Sequence, residues 1–177
     1  VRQALAAAFA TLPREEVRTI ADAVPHVCRE SVQTVEDEME VTQGKLSMGF
    51  SCGSDDMPAL LLGNTLFGGS SNSKLFLNVR EKLSLCYYAS SMYHRQKGII
   101  TVSSGIEFQN YQRAYDEILS QLAAVQNGEL EEWELAGARS TLLNSYATVG
   151  DSQGKLENFY LGQAATGRSE TPADVAQ

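Results

Sequence analysis

Two side chains of this sequence, Arg80 and Tyr87, combine a permanent cation with a phenolic donor, and both groups are suited to holding a carbonyl oxygen. They lie in the run GGSSNSKLFLNVREKLSLCYYASS, from Gly68 to Ser91. Leu75, Phe76 and Val79 define the apolar stripe of a short helix, so Arg80 sits on its flank and can reach past the stripe toward a groove. Tyr87 opens the next strand after a few connecting residues, which lets the two polar tips converge at one edge of a sheet. Alternation alone does not choose between Tyr87 and Tyr88, because a regular strand sends them to opposite faces. An arginine on a helix surface and a tyrosine in a strand also explain the same residues without any chemistry.

The other reactive residue types fare worse. The only histidines, His26 and His94, are far apart and lack the i, i+4 spacing by which a helix aims two imidazoles at one ion. They read as a linker residue and a surface residue at a strand end, so no metal site is expected. Cys52 and Cys86 stand in strand-like surroundings without an evident histidine base and are assigned to the core. Gly68 to Lys74 imitates a phosphate loop, but Ser73 stands where the motif needs glycine. The acidic runs Glu129 to Glu134 and Glu36 to Glu40 read as a helix first turn complementing its dipole and as protection of a sheet edge.

The elements that must position Arg80 and Tyr87 follow from periodicity. Lys45 to Cys52 alternates Leu46, Met48 and Phe50 with small polar residues, as a half-buried strand does. Pro58 to Phe67 is almost wholly apolar and reads as a buried helix ending at Gly68-Gly69, where a left-handed cap suits glycine. Ser71 or Ser73 then caps the helix carrying Arg80. Tyr87 to Tyr93 and Ile99 to Ile106 flank a polar connection ending at Gly98, a hairpin pattern. The period then becomes 3.6, with Phe108, Tyr111, Tyr115, Ile118, Leu122 and Val125 on one face up to Gly128. Leu130 to Ala147 and Asp151 to Ala165 read as two more helices, the second capped by Asp151. Upstream, Arg2 to Leu12 reads as a helix with Leu5, Ala8, Phe9 and Leu12 on one side, and Arg29 to Met39 as a linker running into an edge strand. Thr171-Pro172 announces one more helix. Both ends read as cut from something longer. The sum is α+β: an antiparallel sheet with helices packed on one face.

Composition narrows the partners. With 177 residues the chain can bury roughly 70% of its unfolded surface around one core. A net charge of -8 repels nucleic acid and anionic lipid, and no apolar run approaches the ~20 residues of a membrane span. Cys28, Cys52 and Cys86 are odd in number and lack CxxC spacing, which suits a reducing cytoplasm.

The GG turn, the SKLFLNVREK helix and the LCYYASS strand together resemble the C-terminal half-domain of the pitrilysin and insulinase-like zinc peptidases, the inverzincins. The likeness extends to Thr42-Gln43-Gly44-Lys45-Leu46 leading into a strand, to the hairpin ending at Gly105 and to the helices from Phe108 onward. It covers residues 29 to 177, and residues 1 to 28 are similar to the closing helix of a preceding half with its linker. The wording of TQGKL and SKLFLNVREK resembles most a bacterial branch whose members often lack the zinc motif and are thought to pair with a zinc-bearing homologue.

The resemblance implies one half of a two-half clamshell. In that arrangement the first half carries HxxEH and a glutamate for zinc, and the second supplies an arginine and a tyrosine with the spacing of Arg80 and Tyr87. By that likeness Tyr87 hydrogen-bonds the scissile carbonyl of a peptide substrate, Arg80 holds a backbone carbonyl, and Gly68 and Gly69 form the structural turn. This chain has no HxxEH, so zinc belongs to a homologous half or partner subunit, and the chain alone is expected to hydrolyse nothing. A non-catalytic scaffold of the same fold is the other reading.

Overall fold

The three alternating segments build one antiparallel sheet, and its register decides which residues meet. The computed structural model describes residues 1–13, 31–54, 56–95 and 97–177. His26, Cys28 and the expected boundary at residue 28 lie outside them. Strands β1 (Gly44–Ser51), β2 (Cys86–His94) and β3 (Ile99–Ile106) are ordered β1-β3-β2. Ile106 stands opposite Gly44 on one side and Cys86 on the other, so the starts of β1 and β2 lie at one end of the sheet. Leu46, Ala89, Val102 and Ile106 point into the core, with Met48, Phe50 and Ile100 packed partly buried against it. Ser47, Ser90 and Ser103 on the other face remain exposed.

The helices are α1 (Arg2–Ala10), α2 (Met57–Asn64), α3 (Tyr111–Gln126), α4 (Glu132–Ala147), α5 (Gln153–Ala165) and α6 (Pro172–Val175). Between α2 and β2 the chain winds as a π-helix twice, over Thr65–Gly69 and Leu75–Lys82. These two wide-wound segments lie against β2, and α3 and α4 pack behind them. Ala114 and Ile118 of α3 join Phe67, Leu75, Val79 and Leu85 in the core, and Tyr115 and Leu122 pack against it. The fold is therefore α+β, with its helical layer on one face of the sheet.

Several local expectations need correction. Residues 31–40 form no strand, and Val32 and Val35 are 80% and 85% exposed. Their spacing of three among acidic neighbours offers a strand no apolar face, so Glu36 to Glu40 guard no edge of their own. The apolar run Pro58 to Phe67 is buried only at its end, from Thr65 to Gly68. Gly68 and Gly69 do not adopt a left-handed cap, since the glycines with positive φ are Gly98, Gly128 and Gly167. Helix α3 starts at Tyr111, leaving Phe108 on a preceding 3-10 turn and exposed. The cap of α5 is Ser152, whose hydroxyl accepts from the Lys155 amide, rather than Asp151. Thr171 caps α6 as read, reciprocally with Asp174.

Candidate functional site

Close packing, not backbone freedom, explains the two glycines before the Arg80 helix. A Cβ on Gly68 would lie 2.6 Å from the Ser91 backbone nitrogen and 2.7 Å from Leu75 Cδ1, so the π-turn presses directly on β2. A Cβ on Gly69 would lie 3.0 Å from the Asn64 carbonyl oxygen. Ser91 Oγ donates to Asn64 Oδ1 at 2.8 Å, tying the turn to the strand. Ser73, fully buried, accepts from the Phe76 amide at 3.4 Å and starts the next helix. Leu75 and Val79 anchor that helix with no exposed surface, and Phe76 stays half exposed beneath Arg80, whose Cζ sits 4.7 Å from the ring centroid. The helix ends at Lys82, and beyond its cap Leu83 the non-glycine Ser84, at φ 51, turns buried Leu85 inward and launches β2.

The structure brings Arg80 to Tyr87 through the backbone. Arg80 Nε donates to the Tyr87 carbonyl oxygen at 2.9 Å, and its Nη1 lies 3.1 Å from Glu81 Oε1. Tyr87 is the extra residue of a β-bulge, because Cys86 pairs with Ile106 while Tyr88 pairs with Gly105. Cys86 and Ala89 both pack against the core. The two tyrosines between them therefore both fall on the other side, and the expectation of opposite faces for Tyr87 and Tyr88 fails at the bulge. They differ in engagement instead. Tyr87 is 75% exposed and its hydroxyl has no hydrogen-bond partner among the described residues. Tyr88 shares a hydrogen bond of 3.2 Å with Ser103 Oγ, and its ring fills the space where a Cβ on Gly105 would sit.

Cys86 adjoins this site without being activated by it. Burial pushes its thiol up, and the Ser104 hydrogen bond and the positive charge of Arg80 only partly oppose that. Burial likewise raises Cys52. Both thiols are half-buried rather than enclosed in the core, and Cys86 packs against its margin. Among the described residues no three of His, Cys, Asp and Glu converge as metal ligands, and His94 Nε2 instead meets Thr101 Oγ1 at 2.9 Å. The donor set described thus does not fit zinc.

One pair escaped sequence reasoning altogether. Lys74, read as part of a broken phosphate loop, meets Glu134, read as a solvated helix carboxylate, at 3.1 Å, with both side chains nearly buried. Glu134 also accepts from the Glu131 amide at 2.8 Å, so one carboxylate caps α4 and neutralises Lys74. The ion pair spans 60 positions of sequence, a separation at which no local pattern signals contact. The capping box around Glu131 was the one local clue to a fixed Glu134.

The three-stranded antiparallel sheet with its helices packed on one face is the α+β fold of a peptidase-like inactive domain. The description "Peptidase M16 inactive domain" matches residues 2–142, and the chain belongs to that family. It is 40% identical over 158 residues to the "Probable inactive metalloprotease YmfF" of Bacillus subtilis (strain 168), covering 86% of this chain and 37% of that protein. A conserved protein from Enterococcus faecalis V583 superposes with a TM-score of 0.78 at 29% identity, over 99% of this chain and 43% of the other. A protease from Helicobacter pylori shares the fold at a TM-score of 0.59 and 18% identity, over 70% of this chain and 32% of its own. The chain thus spans less than half the length of these relatives.

Proposed function

We propose that this chain is the zinc-free half of a two-half peptidase and presents Arg80 and Tyr87 to a peptide held across a cleft from a zinc-bearing homologous half or subunit. The observation that carries the reading is the 2.9 Å bond from Arg80 Nε to the Tyr87 carbonyl. It fixes the guanidinium at the backbone of Tyr87, whose exposed phenol has no acceptor of its own among the described residues. Tyr87 then donates its hydroxyl to the scissile carbonyl and to the negative charge that develops on it. Arg80, held by Nε, paired through Nη1 with Glu81 and stacked on Phe76, has Nη2 left to donate to a neighbouring backbone carbonyl of the substrate. The chain contributes no metal and hydrolyses nothing by itself. Residues 1–28 belong to the preceding half and residues 29–177 to this one. Free Cys52 and Cys86 suit a cytoplasmic location, and among the described residues no helix is long and apolar enough to cross a membrane.

A second reading, a pseudo-peptidase scaffold or partner subunit of a zinc-bearing homologue, is favoured by the word "inactive" in the name of the Bacillus relative. Steady-state kinetics of the assembled, zinc-loaded protein separate the two. Tyr87→Phe lowers kcat by ~10²-fold or more with the fold intact, and Arg80→Ala raises KM as well. Tyr160→Phe, on the surface of α5, is the control. Equal indifference to all three substitutions in an active assembly replaces the catalytic reading with the scaffold.

A further inference from the structure

A shallow groove of about 470 Å³ lies at the same end of the sheet as Arg80 and Tyr87, lined by Thr42, Gln43, Glu107, Phe108 and Gln109. Its chemistry is specific. Phe108 is 61% exposed, and its ring rests on Gly44, where a Cβ would come within 3.3 Å of two ring atoms. Glu107 Oε2 accepts from Gln109 Nε2 at 2.8 Å, which orients the carboxylate and leaves its other oxygen without a partner among the described residues. No described cation pairs with Glu107: the ion pairs recorded involve Lys74, Arg80, Arg95 and Arg168, each with another glutamate. Lys45, the nearby cation opposite Gly105 in the β1–β3 register, is not among them.

We propose that this groove is a subsite for a lysine or arginine side chain of the bound peptide, with the aliphatic stem on Phe108 and the cationic head on Glu107. An aromatic face next to an unpaired carboxylate attracts a cation from two directions, and the amides of Gln43 and Gln109 supply further oxygen acceptors. An acidic side chain would meet Glu107 and the net charge of -8. A large apolar side chain would find one ring among otherwise polar walls. The subsite rests on the peptide-binding reading above and adds a preference to it. Ile106, just before Glu107, pairs with both Gly44 and Cys86, so the groove lies between one and two strand spacings, ~5–10 Å, from the start of β2. An extended peptide advances ~3.3 Å per residue, which sets the basic residue about two to three positions from the carbonyl at Tyr87.

The test is fluorescence anisotropy of labelled extended peptides on the intact protein, the peptides differing only by lysine, norleucine or glutamate at one position moved stepwise along the sequence. Lysine at the matching position should bind roughly 3- to 30-fold tighter than norleucine, the sum of an exposed ion pair and a cation–π contact. Glu107→Gln removes most of that advantage, Phe108→Leu removes part of it, and Glu107→Lys transfers the preference to glutamate. Both residues are exposed, so unchanged thermal midpoints certify the fold. Equal affinity for lysine and norleucine at every position, or a lysine preference that survives Glu107→Gln, overturns the subsite. Arg80→Ala should weaken all peptides while leaving the lysine-to-norleucine ratio intact. If Arg80→Ala leaves binding of every peptide untouched and a Glu107-dependent preference persists, the assignment of Arg80 to the substrate backbone falls and the subsite stands. Absence of binding by every peptide overturns both.

Discussion

Gly68→Ala tests how the Arg80 helix is held in place. The added methyl would sit 2.6 Å from the Ser91 amide nitrogen and 2.7 Å from Ser91 Oγ, both on β2, and 2.7 Å from Leu75 Cδ1. A flexible side chain could yield at Leu75, but the strand backbone cannot move without disturbing its pairing with Val102. Overpacking of this kind typically costs about 1–3 kcal/mol, and a backbone obstacle puts this substitution toward the upper end. With a urea dependence of about 2 kcal/mol per molar, the unfolding midpoint should fall by about 1–1.5 M. Gly137→Ala is the matched control, because nothing lies within 4 Å of its new methyl and the position is inside α4. There alanine should stabilise by roughly 0.5–1 kcal/mol. Urea titrations followed by circular dichroism measure both. Equal tolerance of the two substitutions would refute the claim that close approach, rather than turn geometry, demands glycine at position 68.

Lys74→Ala leaves Glu134 buried without its cation and should cost about 3–5 kcal/mol, read as a lower urea midpoint; Lys74→Met with Glu134→Gln should recover much of that loss. Ser84→Gly removes a left-handed non-glycine residue and should raise the midpoint by an amount equivalent to about 1 kcal/mol, whereas Ser84→Val should lower it. Burial lifts Cys52 and Cys86 above the ordinary 9.0, so in alkali the folded chain keeps protons that the unfolded chain releases. Their contribution to stability is complete below pH 9.0 and is lost as pH rises through the raised folded values, so midpoints measured across that range should fall, and fall less steeply in Cys86→Ala.

Where side-chain period was strong, the sequence was readable. Leu46, Met48 and Phe50 located β1 and its inward face, and Ile118 and Leu122 located the buried side of α3. Gly128 and Thr171 marked a helix end and a helix start through backbone chemistry that acts within a few residues. The misses share a cause in contacts made at long sequence separation or in irregular winding. Gly68 carries the same letter whether it serves a left-handed cap or a close approach, and only the position of Ser91 distinguishes the two. The bulge at Tyr87 inserts one residue into a two-residue period, so alternation misplaced Tyr88 relative to it. The candidate site itself was legible as two residues, Arg80 and Tyr87, but not as the bond joining them. A guanidinium-to-carbonyl contact across a π-wound turn has no sequence signature.

The central claim, that the Tyr87 hydroxyl stabilises charge developing on a substrate carbonyl, is tested most directly with a phosphinic peptide whose tetrahedral anion stands in for that charge. Its affinity for the zinc-loaded assembly is compared with that of the matching unreactive peptide, before and after Tyr87→Phe. The account predicts a loss of ~10²-fold or more for the phosphinic peptide and little change for the matching one, because the donor acts mainly on the transition state. Equal losses for both ligands, or none for either, would contradict it.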